Sequence, residues 1–327
     1  MANDPKQQLK ERGYGFWIGS ALVFAVSCLA AATIKNEYYF YAAYIVIQFV
    51  VLATAWNILG GYAGYVNFGA SAFFGVGAYI AVMLIKWMNL PLGLQIIAAA
   101  TVGGALGFGV GLLTLRLRGI FFSIATVAIT IILETAVINW RFVGGATGIQ
   151  ILRPPAMEPF DSYTKMLFVC AVLLAIIAVA IARYIETSWI GRGLRAIRDN
   201  EEAAECTGVP TLKLKLFACA ISGALMSAAG APLAMYQSFV EPASAFNLTY
   251  SVSALAMPII GGTSHWLGPV VGALLLGTVQ QVVTVTVSSE LNVLVVGVLL
   301  VVFVVAAPQG IVGLYVKLRD RIKGRNG

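Results

Sequence analysis

The stretch SWIGRGLRAIRDNEEAAECTGVPTLKLK, Ser188 to Lys215, is the only long charged segment in a chain of 327 residues that is 60% hydrophobic. Its first half sets apolar Ile190, Leu194 and Ile197 at spacings of four and three, with Arg192, Arg195 and Arg198 mostly on the other side. That pattern predicts a short amphipathic helix. Asp199 stands three residues before Glu202, the spacing of a capping box, and predicts the start of a second helix with acids in its first turn, where the helix dipole favours them. Gly208 supplies a left-handed C-terminal cap, and Pro210 forbids continuation. A helix of about two turns is marginal alone in water, so it has to pack on something. Two readings stand: a solvated connection that happens to be charged, or a docking element for a cytosolic partner.

Around this stretch the chain is oily. Only 11% of its residues are charged, against about a quarter in soluble domains. It therefore reads as an all-α, polytopic membrane protein. The formal charge of +7 does not point to nucleic acid, because the basic residues are scattered at the ends of apolar runs, as membrane orientation requires. Cys28, Cys170, Cys206 and Cys219 have neither metal spacing nor the look of a disulfide framework. No Gly-x-x-x-x-Gly-Lys-Ser/Thr stretch occurs, so any nucleotide energy has to come from another subunit.

Crossing about 30 Å of hydrocarbon takes some 20 helical residues. Ten such runs are expected, near 15–33, 41–59, 65–85, 92–115, 120–139, 166–183, 216–236, 250–261, 267–287 and 291–306. The eighth is short and the third is rich in glycine, so either is a candidate for a broken or re-entrant span. With the N-terminus inside, the inner segments hold sixteen Lys and Arg and the outer segments five, which places both termini in the cytoplasm. The whole chain, 1–327, is then one transmembrane domain with a cytoplasmic loop over 184–215 and a periplasmic loop over 140–165. The first span resembles a signal peptide, but acids in its basic region and the length of its apolar run favour a retained anchor. Gly103, Gly107 and Gly111 repeat on one face of the fourth span, and the seventh carries Ser222, Gly223, Ser227 and Gly230; both read as close-packing surfaces. The pairs Gly60-Gly61 and Gly261-Gly262 hint at an internal duplication.

Polar residues inside spans are few. Ser123, Thr126, Thr130 and Glu134 share one helical face, and an acid in hydrocarbon usually faces a bundle interior or a wet cavity. The stripe either lines a path for a polar solute, or Glu134 pairs with an outer base such as Arg141 or meets headgroup water. Asn67 sits among Gly64, Gly69, Ser71, Gly75 and Gly77, where a broken helix would present backbone to a solute; packing with an interhelical hydrogen bond is the alternative. His265 stands alone and reads as interfacial, so no metal site, cofactor or hydrolytic centre is expected.

Three motifs carry a family resemblance. Residues 56–64, WNILGGYAG, followed by 68–79, FGASAFFGVGAY, then 191–201, GRGLRAIRDNE, then Gly261-Gly262 with Gly268-Pro269, resemble in order the LivM-type permeases of branched-chain amino acid ABC transporters. Ala70 stands where many relatives carry His. The resemblance implies an importer of the bacterial inner membrane in which this chain pairs with a second, LivH-type permease, two cytosolic ATPases and a periplasmic binding protein that delivers a small solute. Glu202-Ala203-Ala204 with Gly208 also resembles the motif by which such permeases dock their ATPases, without its Ile-x-Leu-Pro ending. On this footing Arg192, Arg195, Arg198, Asp199, Glu201, Glu202, Ala203, Ala204 and Gly208 are the expected coupling residues. Asn67, Ser123, Thr126, Thr130 and Glu134 are expected along the path.

Overall fold

The computed structural model describes residues 5–117, 119–151, 162–286, 291–307 and 310–314. Arg118, residues 152–161 of the outer loop with Arg153, Glu158 and Asp161, and the basic C-terminal residues from Lys317 onward lie outside the described residues. Fourteen helices follow in order among those described: α1 Pro5–Thr33, α2 Glu37–Ala63, α3 Ala70–Met88, α4 Leu92–Thr114, α5 Ile120–Ile138, α6 Tyr163–Thr187, α7 Trp189–Asp199, α8 Glu201–Cys206, α9 Thr211–Gly230, α10 Leu233–Gln237, α11 Pro242–Ala245, α12 Leu248–Gly261, α13 Leu267–Thr286 and α14 Leu291–Ala306. A two-stranded antiparallel ladder, β1 Ile149–Gln150 with β2 Phe239–Val240, ties the segment after α5 to the segment before α11.

Nine stretches among the described residues are long and apolar enough to cross a membrane, with α9–α10 and α11–α12 each counting as one. The tenth expected span is α14, which is shorter. α2 is the hub. Every residue from Val50 to Leu59 is buried, and its neighbours are α6, α9, α12 and α13. α1 is the opposite case, since of Tyr14–Thr33 only Ala31 is buried. Between oily helices lipid supplies no hydrophobic drive, so contact depends on close approach. The small residues of α4 and α9 provide it: a Cβ on Gly103 would run into the Ser227 side chain, and one on Gly107 would lie 2.6 Å from the Cys219 carbonyl.

The third expected span, 65–85, loses its first residues to a non-helical segment, whereas the eighth, 250–261, is unbroken helix. α2 runs past Gly60-Gly61 to Ala63 and stops at Gly64, whose φ of +79° makes the left-handed cap. The backbone from Gly64 to Phe68 then has no helical pairing, and α3 begins only at Ala70. Ahead of the eighth span, Phe246 and Asn247 separate α11 from α12. The two Gly-Gly pairs are not equivalent, because Gly60-Gly61 lie inside a helix whereas Gly261 closes one and Gly262 leaves it.

Candidate functional site

The charged stretch folds as a helical hairpin, α7 and α8, across one end of the bundle. Leu194 and Ile197 are buried, as the spacing predicts, while Arg192 and Asp199 stay exposed. Gly191 lies so close to the end of α6 that a Cβ would enter the Ile185 carbonyl. The capping residue differs from expectation. Asp199 closes α7, and Asn200 caps α8 with its side chain accepting from the Ala203 N–H at 3.0 Å. Asn200 reaches N3 from an extended conformation (φ −163°, ψ 108°), whereas Asp199 is still helical. α8 ends as expected: Gly208 takes φ +83°, its N–H reaches Glu205 O at 2.9 Å, and Val209 N–H reaches Ala204 O at 3.0 Å.

The expected coupling residues divide into two groups. Arg195 donates to Glu186 O at 3.2 Å, and Arg198 donates to Gly61 O at 3.0 Å. Glu201 turns inward, where Lys215 Nζ lies 2.6 Å from one carboxylate oxygen and the Tyr65 hydroxyl donates to the other at 2.6 Å. Lys215 also donates to Tyr65 Oη at 3.1 Å and to Leu115 O at 3.2 Å; its side chain is 4% exposed and that of Glu201 15%. Ala204 is buried with them. These residues hold the hairpin to the bundle. Arg192, Glu202, Ala203 and Gly208 face outward beside exposed Trp189 and Cys206. Between α7 and the Thr207–Pro210 corner runs a groove of about 320 Å³, bordered by Trp189, Arg192, Gly193 and Val209.

The second set of expected residues gathers around the non-helical segment Gly64–Gly69, a strap that rises from the hairpin into the bundle. Backbone without helical partners has to be satisfied by protein at such depth, and here side chains from three other helices do it. Ser123 donates to Val66 O at 2.9 Å, Trp56 Nε1 to Asn67 O at 2.7 Å, and Phe68 N–H to Thr126 Oγ1 at 3.1 Å. Ser251 Oγ donates to Phe68 O at 2.6 Å and accepts from Ser71 N–H at 2.9 Å. Asn67 folds its own side chain onto Gly69 N–H at 2.7 Å. Thr130 donates to Thr126 O at 3.2 Å. Glu134 continues the stripe but stands apart from this cluster, half-buried and without an ion-pair partner among the described residues, Arg141 included.

Sequence reasoning missed Tyr65, Trp56, Lys215, Ser251 and Glu186. Glu186 accepts from Trp266 N–H at 2.6 Å and from the Tyr62 hydroxyl at 3.3 Å, fastening α6 to the turn before α13. Trp56 and Tyr65 stand in or beside the WNILGGYAG motif and Lys215 begins a span, so each carried a signal; Ser251 carried none. His265 is half-buried, and its Nδ1 accepts from Leu267 N–H at 3.2 Å at the start of α13.

Comparison with known proteins adds the following. The family described as branched-chain amino acid transport system permease component matches residues 38–304. The high-affinity branched-chain amino acid transport system permease protein LivM of Escherichia coli (strain K12) is 25% identical over 304 residues, covering 85% of this chain and 70% of the relative. LivH of the same organism is 22% identical over 282 residues, 81% of this chain and 91% of the relative. A probable LivH of Methanocaldococcus jannaschii is 26% identical over 277 residues, 78% and 85% respectively. No solved structure matches.

Proposed function

This chain belongs to the branched-chain amino acid transport system permease family, and from that premise we propose that it is the LivM-type half of an ATP-driven importer. It is a membrane permease. In the proposed assembly it pairs with a LivH-type permease, two ATP-binding subunits hydrolyse ATP, and a periplasmic binding protein delivers branched-chain amino acids. The membrane is the bacterial inner membrane, with both termini and the 184–215 segment cytoplasmic and the 140–165 loop periplasmic. Solute passes along the α3–α5 side, near Asn67, Ser123, Thr126, Thr130 and Glu134.

The observation that carries this reading is the way the hairpin is mounted. Helices of 11 and 6 residues would fray alone. Here Arg195, Arg198 and Glu201 spend their charges on the permease's own backbone and on Lys215. Arg192, Glu202, Ala203 and the groove beside Trp189 are thereby left outward on a stiff base. A solvated connector has no need of such anchoring, whereas a surface that receives force from a motor subunit does.

Two measurements test the proposal. Cys206 is the only exposed cysteine, so a membrane-impermeant maleimide should label it in inside-out vesicles and leave it unlabelled in spheroplasts; the reverse pattern sinks the docking role. The complex isolated from native membranes and reconstituted in proteoliposomes should take up labelled leucine, isoleucine or valine only with ATP inside the vesicle-equivalent of the cytosol. Uptake that persists without ATP but needs an ion gradient would replace the importer by a secondary transporter.

A further inference from the structure

We infer that Tyr65 is the positioning residue through which the hairpin acts on the polar centre of the bundle, an inference that rests on the docking role proposed above. The strap has two fastened ends. At the hairpin end the Tyr65 hydroxyl donates to Glu201 at 2.6 Å and accepts from Lys215 at 3.1 Å, so tyrosine, acid and base close a triangle that α8, α9 and the strap share. Gly64, just before it, lies under Arg198, where a Cβ would come 2.8 Å from Arg198 Cγ. Three residues further on, Phe68 is fixed through its N–H to Thr126 of α5 and through its carbonyl to Ser251 of α12. Ser251 also holds the first turn of α3 through Ser71 N–H. Among the described residues the strap thus touches the hairpin at one end and α3, α5 and α12 at the other.

Compliance singles it out from the competing route. Lys215 connects the hairpin to α9 as well, but α9 lies wedged against α4 at backbone contact distance, and a shift there would have to break the approach at Gly103 and Gly107. The strap carries no i→i−4 ladder, so moving it breaks side-chain hydrogen bonds rather than a helix. It also has room: a cavity of about 420 Å³ lies beside it, bordered by Tyr65, Val66, Ile120, Ser123, Arg198 and Glu201. The edge-on contact of the Tyr65 ring with Phe122, at 5.1 Å and 87°, gives α5 a second hold on the same residue. A displacement of α8 then reaches α5 and α12 through Tyr65, and removing its hydroxyl should cut that path while leaving the outward face of the hairpin unaltered.

The test uses the whole complex in proteoliposomes with labelled leucine as the probe, and reads leucine taken up per ATP hydrolysed. A lesion that merely lowers the amount of folded complex reduces both terms together and leaves this ratio alone. In Tyr65→Phe the ATPase subunits should still co-purify and hydrolyse ATP, with the ratio reduced roughly tenfold, the effect of one lost hydrogen bond to a carboxylate. Ser251→Ala releases the far end of the strap and should lower the ratio in the same direction, and it decides the matter if Tyr65→Phe does not accumulate. An unchanged ratio in whichever variant assembles overturns the inference and leaves the docking role standing. A wild-type complex that contains no ATPase, or moves leucine without ATP, refutes the docking role itself.

Discussion

The hairpin and the strap lie side by side and solve one problem in opposite ways. Both are segments that lie between membrane-spanning helices and whose backbone groups need partners outside a long helical ladder. The hairpin closes its own account locally: Asn200 caps the start of α8 from three residues away, and Gly208 and Val209 return their N–H groups to Glu205 and Ala204. The strap takes its distant partners from Ser123 and Thr126, about 57 residues along the chain, and Ser251, about 180, while Leu59, Trp56 and Asn67 supply the nearer ones. A local solution needs particular residues at particular spacings and leaves the outer face free for a partner. A borrowed one needs the tertiary fold first, and it binds that fold together at the place where it is used.

Lys215 belongs to both regions, so its loss should have the largest effect. Lys215→Met leaves the Glu201 carboxylate with the Tyr65 hydroxyl but without its cation, and should destabilise the solubilised chain by about 3 kcal/mol, the low end for a broken buried pair. Equilibrium unfolding in detergent measures it. Trp56→Phe keeps an aromatic side chain, removes the indole N–H and strands the buried Asn67 carbonyl, which should cost about 2 kcal/mol in the same assay; a loss near zero would mean that the strap does not depend on borrowed donors. Asn200→Ala removes only a cap and should cost about 1 kcal/mol, and if it exceeds the Trp56 effect the contrast between local and borrowed satisfaction is inverted. Arg192→Gln is an exposed change expected to shift stability by less than about 0.5 kcal/mol. Its effect should appear instead in the yield of co-purified ATPase, several-fold lower than wild type.

Legibility in the sequence follows the same division. Helix spans, the amphipathic face of α7 and the stop after Gly208 were readable because apolar spacing, glycine and proline act within a few residues of where they stand. The small-residue faces of α4 and α9 were readable as packing surfaces, although nothing in either one named the other as its partner. The capping-box spacing pointed to Asp199, with Glu202 three residues on, and not to Asn200, which has Ala203 there. Asn200 took the role because α7 continues one residue further than the charge pattern suggested, carrying Asp199 into helical conformation. The polar stripe on α5 was visible as a stripe, yet Ser123 and Thr126 turn out to serve the strap's backbone and Glu134 does not. Arg195 and Arg198 looked like a surface for a partner and instead grip the backbone of α6 and α2.

The amino-acid sequence alone determined that this is a membrane protein of about ten spans, that one charged hairpin interrupts them, and where that hairpin begins and stops, because those features depend on hydropathy and on steric rules that act between neighbours. Tertiary structure alone decided which charges face inward, which serine meets which carbonyl, and that Tyr65, Glu201 and Lys215 meet at all. Hydrogen bonds and ion pairs between residues far apart in the chain depend on distance in space, and in an oily bundle that distance is set by how closely the small-residue faces let the helices approach.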